Sequence, residues 1–379
     1  MIKIILMIIA ISCSKNINEL KIINKGINED LIEYCKDGNK ERVIGLLNRG
    51  ANVNFINNNG SSALMLATEV GHKEVVELLL ERGADINAIN NNGSSALILA
   101  SAVGHREIVE LLLERGADIN IINKYGNTAL ALASTSDVFQ KDLVGLLLEN
   151  GADVNIVNKY GDSALMLLLI GGHKELVEIL LEKRADVNII NNNGYSALML
   201  ATEGDHKDLV GLLLEKGADV NIINNNGDSA LILALMQGDT ELAKLLLEKG
   251  NDFNFRENFE NGKKCWSYAL KCENIEIVKL LVEKGLDIYK KDKNGETVLM
   301  NIGKKIKNCE NKSIGDKYID IAYFIIRKMA EDYIYLFISL NKNTNTSQEA
   351  KDEFNNHINM LHSLHKLPIE LFVEIIKQL

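Results

Sequence analysis

The chain has 379 residues, of which 46% are hydrophobic and 25% charged, so its composition is that of a folded protein with several domains or one repetitive array. The formal net charge is −10. Because binding to a phosphate backbone requires a basic face, this charge argues against a nucleic-acid partner.

The N-terminal stretch MIKIILMIIAISC carries one charge, Lys3, followed by an apolar run from Ile4 to Ile11. This pattern predicts an export signal over residues 1–13. The apolar run is too short for a membrane-spanning helix, which needs ~20 apolar residues. The stretch AISC resembles the lipobox of bacterial lipoproteins, with Ala10 where that family usually has Leu. The resemblance implies cleavage before Cys13 and a lipid anchor on its thiol. Cleavage without lipidation and no cleavage are the alternatives, and residues 14–27 are predicted to be a linker.

The middle of the chain repeats itself every 33 residues, lengthened to 35 twice. A glycine, or once an arginine, stands at the same place in each unit: Gly50, Gly83, Gly116, Gly151, Arg184, Gly217, Gly250 and Gly285. A second glycine series, from Gly60 to Gly295, keeps the same register and includes Gly262. Periods of this length indicate a solenoid of stacked units.

One unit illustrates the predicted local structure. Asn59-Gly60 predicts a tight turn, because glycine adopts positive φ without strain. Ser62 is then placed to cap a short apolar helix, and a second helix is predicted from Lys73 to Arg82. Val75, Val76, Leu79 and Leu80 are predicted to form its buried face. Helices this short are marginal alone, so the units must be stacked to be stable.

This pattern resembles the ankyrin repeat in its GADVN ends, its GH between the helices and its LLLE runs, from residue 28 to about 300. The resemblance implies an all-α solenoid of helix–turn–helix units joined by β-hairpin-like loops, followed by a short C-terminal helical segment. We assign eight repeats to residues 28–295 and a divergent ninth, which caps the array, to residues 296–332. The family's TPLHxA reads SALMLA here, which loses the proline but keeps the cap and the apolar pattern.

Nothing in the sequence indicates catalysis. Four histidines recur at one repeat position, which favours structural hydrogen bonding over a metal or catalytic role: His72, His105, His173 and His206. The chain contains no GxSxG, HExxH, P-loop or CxxC motif. We therefore predict a protein that is not an enzyme and that uses no metal, cofactor or small-molecule substrate.

The hairpin tips show where a partner would bind. The ankyrin resemblance implies a protein partner on the concave surface formed by the tips and first helices. We predict the chain itself to be a monomer. Four tips read NNNG, but two adjacent tips read NKYG and the next unit has a tyrosine after its glycine. We predict that these residues bind the partner: Lys124, Tyr125, Lys159, Tyr160 and Tyr195. Drift of the tip sequence is the alternative. Extra residues near 135–136, between helices, and near 256–260, where they enlarge one hairpin, are further candidates.

Residues 333–379 are predicted to form a C-terminal helical segment that contains the only proline, Pro368. The stretch KLPIELFVEIIKQL resembles the first helix of an F-box, LPxELxxxIxxxL. The matching residues are Leu367, Pro368, Glu370, Leu371, Ile375 and Leu379. Ankyrin arrays ending in such a segment are typical of poxvirus host-range proteins and of effectors of intracellular bacteria. The resemblance implies docking of helix 367–379 on the adaptor of a host cullin-type ubiquitin ligase. A plain capping helix is the alternative, although it does not explain the proline.

Two functions follow from these patterns, and both are non-catalytic. The first is an exported bacterial effector in the host cytoplasm that recruits a target through its solenoid to the ubiquitin ligase. The second is a bacterial lipoprotein or periplasmic scaffold without a ligase role. They conflict, because a lipid on Cys13 holds the protein at a bacterial membrane whereas the F-box-like helix needs the host cytosol.

Overall fold

A computed structural model describes residues 26–135, 140–249, 259–289, 291, 295–308 and 311–341. The described backbone is helical, and its β-structure consists of two isolated antiparallel bridges, Ile56–Ser62 and Val157–Ser163. The predicted all-α fold is therefore confirmed. The chain divides into two compact units, residues 1–192 and 193–379. The predicted leader with Cys13 and the F-box-like helix 367–379 lie outside the described residues.

The first unit is a stack of helix pairs. Residues 26–36 are helical (α1). The helices that follow are α2 (Lys40–Asn48), α3 (Ala63–Val70), α4 (Lys73–Glu81), α5 (Ala96–Val103), α6 (Arg106–Glu114), α7 (Ala129–Ala133), α8 (Gln140–Glu149), α9 (Ala164–Ile170) and α10 (Lys174–Glu182). Each odd-numbered helix is the first of its pair, and a hairpin tip precedes it from α3 onward.

The helix ends follow from the residues that the sequence places there. The Ser62 hydroxyl oxygen accepts a hydrogen bond from the Met65 backbone N–H at 3.3 Å, which caps α3. Gly71 ends α3 with φ +97°, and Gly83 follows α4 with φ +82°, both in the left-handed region. In this repeat, the predicted helix cap at Ser62, the turn at Gly60 with φ +72° and the helix end before Gly83 are confirmed. Helix α4 ends at Glu81, with Arg82 as its C-cap.

The core lies between consecutive helix pairs. Helix α3 packs against α4 and α5, while α4 also packs against α2 and α6. Val75, Val76 and Leu79 of α4 are buried as predicted, but the fourth buried residue is Leu78 and not Leu80. The prediction of Leu80 was wrong because it assumed one buried face, whereas α4 has a neighbour on each side along the stack.

The second unit continues with helix pairs of the same kind. Its helices are α11 (Ala197–Glu203), α12 (Lys207–Glu215), α13 (Ala230–Gln237), α14 (Thr240–Lys249), α15 (Phe259–Lys271), α16 (Ile275–Glu283), α17 (Val298–Lys307) and α18 (Lys312–Asn341). None of the described helices has the length and apolarity needed to cross a membrane.

The hairpin tip expected at Gly262 is absent from the described part of the second unit, because α15 runs through this residue. Of the predicted enlarged hairpin at 256–260, residues 259–260 are helical and the rest lies outside the described residues. The Lys264 ammonium replaces the hydrogen bond that the preceding tip would receive from a tip at Gly262. It donates to the Asn226 carbonyl at 2.6 Å and to the Asp228 carboxylate at 2.6 Å. A lysine thus satisfies the tip carbonyl that elsewhere accepts the N–H of the next tip.

Helix α18 closes the second unit by packing against α16 and α17. Its buried Ile321, Ala322 and Ile325 join Val298 and Ile302 of α17 in one apolar cluster. This helix is continuous across residues 332 and 333, where the predicted ninth repeat ends and the predicted C-terminal segment begins. The domain boundary there remains a prediction. Stacked arrays need such a cover on the last apolar face.

Candidate partner-binding surface

The first asparagine of each NKYG tip holds the hairpin together. The Asn123 side-chain oxygen accepts hydrogen bonds from the backbone N–H groups of Tyr125, at 2.9 Å, and Asn127, at 3.1 Å. Asn158 accepts in the same way from Tyr160, at 2.8 Å, and from Asp162. Such local side-chain to backbone bonds fix a turn. Asn57, Asn90 and Asn224 of the NNNG tips accept the same two bonds, so the turn itself does not require particular side chains at the next two positions.

Adjacent tips are joined through their backbones. The Lys159 N–H donates to the Tyr125 carbonyl at 2.8 Å, and the Asn192 N–H donates to the Tyr160 carbonyl at 2.9 Å. The glycine of the tip makes this approach possible. At Gly126, φ is +73° and an added Cβ would lie 2.9 Å from both Asn158 Cα and Lys159 N. The tips therefore form a continuous, backbone-bonded edge in the first unit.

Three of the predicted binding residues meet on this edge. Tyr125 is 47% exposed and Tyr160 58% exposed. The Lys159 ammonium lies between them, 4.3 Å from the Tyr125 ring centroid and 4.8 Å from the Tyr160 ring centroid. Both distances are within the range of cation–π attraction, about 0.5–1 kcal/mol each at exposed sites. We call Lys124, Tyr125, Lys159 and Tyr160 the tip cluster. Lys124 is exposed on the first of the two tips.

Tyr195 belongs to the second unit. It is half-buried and directly precedes Ser196, the N-cap of α11. Its membership of the binding surface remains a prediction.

The lysines of the tip cluster differ electrostatically from helix lysines in the same unit. Lys73 forms an ion pair with Glu107 at 3.2 Å, and Lys141 forms one with Glu175 at 2.6 Å. Each ion pair joins the second helices of two neighbouring helix pairs. The hydrogen bond from Lys141 and its charge lower the pKa of Glu175. Within the described part of the chain, neither Lys124 nor Lys159 has a carboxylate at ion-pair distance.

Sequence reasoning missed a row of exposed β-branched residues beside the tips. The residue before the first asparagine of each first-unit tip is 41–56% exposed: Ile56, Ile89, Ile122, Val157 and Ile190. The signal was present in the sequence, because Ile or Val recurs there with the repeat period. Recurring exposed apolar side chains beside polar tips are typical of a surface that contacts protein.

Two of the recurring histidines make structural contacts, and two cysteines are buried. His72 Nε2 lies 3.0 Å from the Lys36 carbonyl and His105 Nε2 lies 3.2 Å from the Glu69 carbonyl, so each ring joins neighbouring pairs. Burial raises the pKa of the Cys35 and Cys265 thiols to about 12. The described residues hold no cluster of His, Cys, Asp or Glu able to bind a metal ion.

Comparison with known proteins identifies the repeats independently. A family model described as ankyrin repeats (3 copies) matches residues 6–90, 31–123, 88–158, 132–224 and 221–292. These segments overlap, and the first includes part of the predicted leader. A search of curated proteins finds no match.

Proposed function

The chain belongs to the ankyrin-repeat family, and on this premise we propose that it is a non-catalytic, monomeric protein-binding module whose main contact surface is the tip cluster. The observation that carries the proposal is the pair of exposed tyrosines on adjacent, backbone-bonded tips with Lys159 between their rings. Tyrosine provides a large, rigid ring and a polar end, and such residues dominate the binding energy of many interfaces.

Partner capture by a double variant tests this proposal. Tyr125→Asn with Tyr160→Asn should weaken capture by about 30-fold or more, the loss typical of a hot spot. The melting temperature should stay constant, because asparagine occupies the same position in the tips of Asn59 and Asn92. A matched control, Asn59→Ala with Asn92→Ala, truncates that position on two NNNG tips and should leave capture intact. Equal capture by the tyrosine variant and the parent would refute the proposed surface.

A finer proposal concerns the C-terminal segment. We propose that a target held by the solenoid is brought to a host cullin-type ubiquitin ligase, with helix 367–379 docking on the ligase adaptor. The support is the LPIEL sequence and the use of the chain's only proline within it. Binding of purified adaptor to the full chain should be lost in Leu367→Ala with Pro368→Ala and retained in Lys377→Ala. Absence of adaptor binding by the parent would leave a scaffold function.

The alternative is a lipoprotein or periplasmic scaffold, supported by the AISC sequence before residue 14. Mass spectrometry of the mature N-terminus separates the two. A diacylglycerol-modified Cys13 would place the protein at a bacterial membrane and contradict delivery to the host cytosol, whereas an unmodified N-terminus would be incompatible with the anchored scaffold.

A further inference from the structure

The tip cluster carries unpaired cations on an acidic protein. The formal net charge is −10, yet Lys124 and Lys159 are exposed on adjacent tips and have no carboxylate at ion-pair distance in the described structure. Asp162, the carboxylate that follows the second tip, is half-buried and accepts a hydrogen bond from the Asn191 amide at 2.9 Å. The two ammonium groups are therefore available to a ligand.

The tyrosine rings restrain one of these cations without neutralising it. The Lys159 ammonium is attracted to both rings, at 4.3 and 4.8 Å from their centroids. An exposed ion pair usually gains little because a long side chain must be ordered to form it. Since the rings already order Lys159, pairing with an external carboxylate costs less entropy than it would at a free lysine.

The lysine also replaces a neutral contact found in the NNNG tips. At the second position of the tip, where NKYG has lysine, the Asn91 amide donates to the Asn58 carbonyl at 3.0 Å and the Asn192 amide donates to the Lys159 carbonyl at 2.9 Å. The NKYG tips thus exchange an amide used within the edge for a lysine, and the ammonium of Lys159 lies against the two rings. This change favours binding of an anion over stability of the edge itself.

From these observations, and resting on the protein-binding function proposed above, we infer that the ligand of the tip cluster is an acidic segment of a protein, whose carboxylates pair with Lys159 and Lys124 beside the tyrosine rings. Nucleic acid is the poorer fit. Its specific binding relies on many phosphate contacts, whereas this surface offers two lysines on a chain of net charge −10.

Selection from displayed random peptides tests the inference on the full chain. Peptides are selected on the parent and counter-selected on a variant with both NKYG tips converted to NNNG, a change that four other tips show to be compatible with the hairpin. Recovered peptides are then synthesised and their affinities measured by fluorescence anisotropy. Lys124→Asn with Lys159→Asn is compared with Lys73→Asn with Lys141→Asn, which removes the same charge from exposed helix positions.

We expect the recovered peptides to be rich in Asp and Glu. Their binding should weaken about tenfold in the tip-lysine variant and by less than about twofold in the helix-lysine control. It should also weaken with added salt, since exposed charges are screened. Neutral or basic peptides that bind the tip-lysine variant as well as the parent would overturn the inference and leave the proposed binding surface standing. Recovery of no tip-dependent peptide would overturn both.

Discussion

Replacement of the tip glycine Gly126 by alanine probes the contact between adjacent hairpins. A residue with a Cβ pays about 1–2 kcal/mol to adopt the left-handed conformation that φ +73° requires. The added methyl group would also lie 2.9 Å from Asn158 Cα and Lys159 N, which are backbone atoms that cannot rotate away. Overpacking of this kind costs about 1–3 kcal/mol more. Gly126→Ala should therefore lower the free energy of unfolding by about 2–5 kcal/mol.

Gly116→Ala is the matched control. The φ of Gly116 is +84°, but an added Cβ would meet no atom within 4 Å, so Gly116→Ala should lower the free energy of unfolding only by the conformational term of about 1–2 kcal/mol. Urea unfolding of both variants, followed by circular dichroism and by tyrosine fluorescence, measures the difference. Two probes are needed because repeat arrays can unfold in stages. Equal destabilisation by the two substitutions would refute the close approach of the tips.

Three further predictions concern single residues. Arg184 stands at a left-handed position with φ 64°, so Arg184→Gly should raise the free energy of unfolding by about 1 kcal/mol, measured by urea unfolding. Lys141 lowers the pKa of Glu175, so the ion pair contributes stability above the unfolded pKa of ~4.3, and this stability is lost as the pH falls through the folded pKa. In an NMR titration, Lys141→Ala should raise the pKa of Glu175. An unchanged pKa would contradict the pairing. Cys35, buried with its pKa raised to about 12, should resist alkylation at pH 8 in the folded protein and react on unfolding, as mass spectrometry can follow.

The sequence predicts the helix pairs well because each repeat carries its own local signals. Ser62 caps a helix through a bond to a residue three positions away, and Gly83 ends one through its own backbone conformation. Neither requires knowledge of distant residues. The repeats also provide an internal reference, so the departures at Tyr125 and Tyr160 are visible without any other sequence.

The predictions that were wrong depend on contacts between neighbouring repeats. The extension of α15 through Gly262 relies on Lys264 reaching Asn226, which is 38 positions away in sequence. The burial of Leu78 relies on α4 having helices on two sides. The position of Lys159 between two rings was likewise not predictable, because the rings belong to separate tips and their separation is set by backbone bonds between hairpins.

Site-specific photo-crosslinking tests the central claim most directly. A photoreactive phenylalanine analogue replaces Tyr160 in one variant and Glu114, exposed at the end of α6, in another. Both purified variants are irradiated in lysates of the producing cells and of host cells. If the tip cluster is the partner-binding surface, position 160 should give a discrete protein adduct that excess unlabelled chain competes away, and position 114 should give none. Adducts of equal yield at the two positions, or at position 114 alone, would contradict the account.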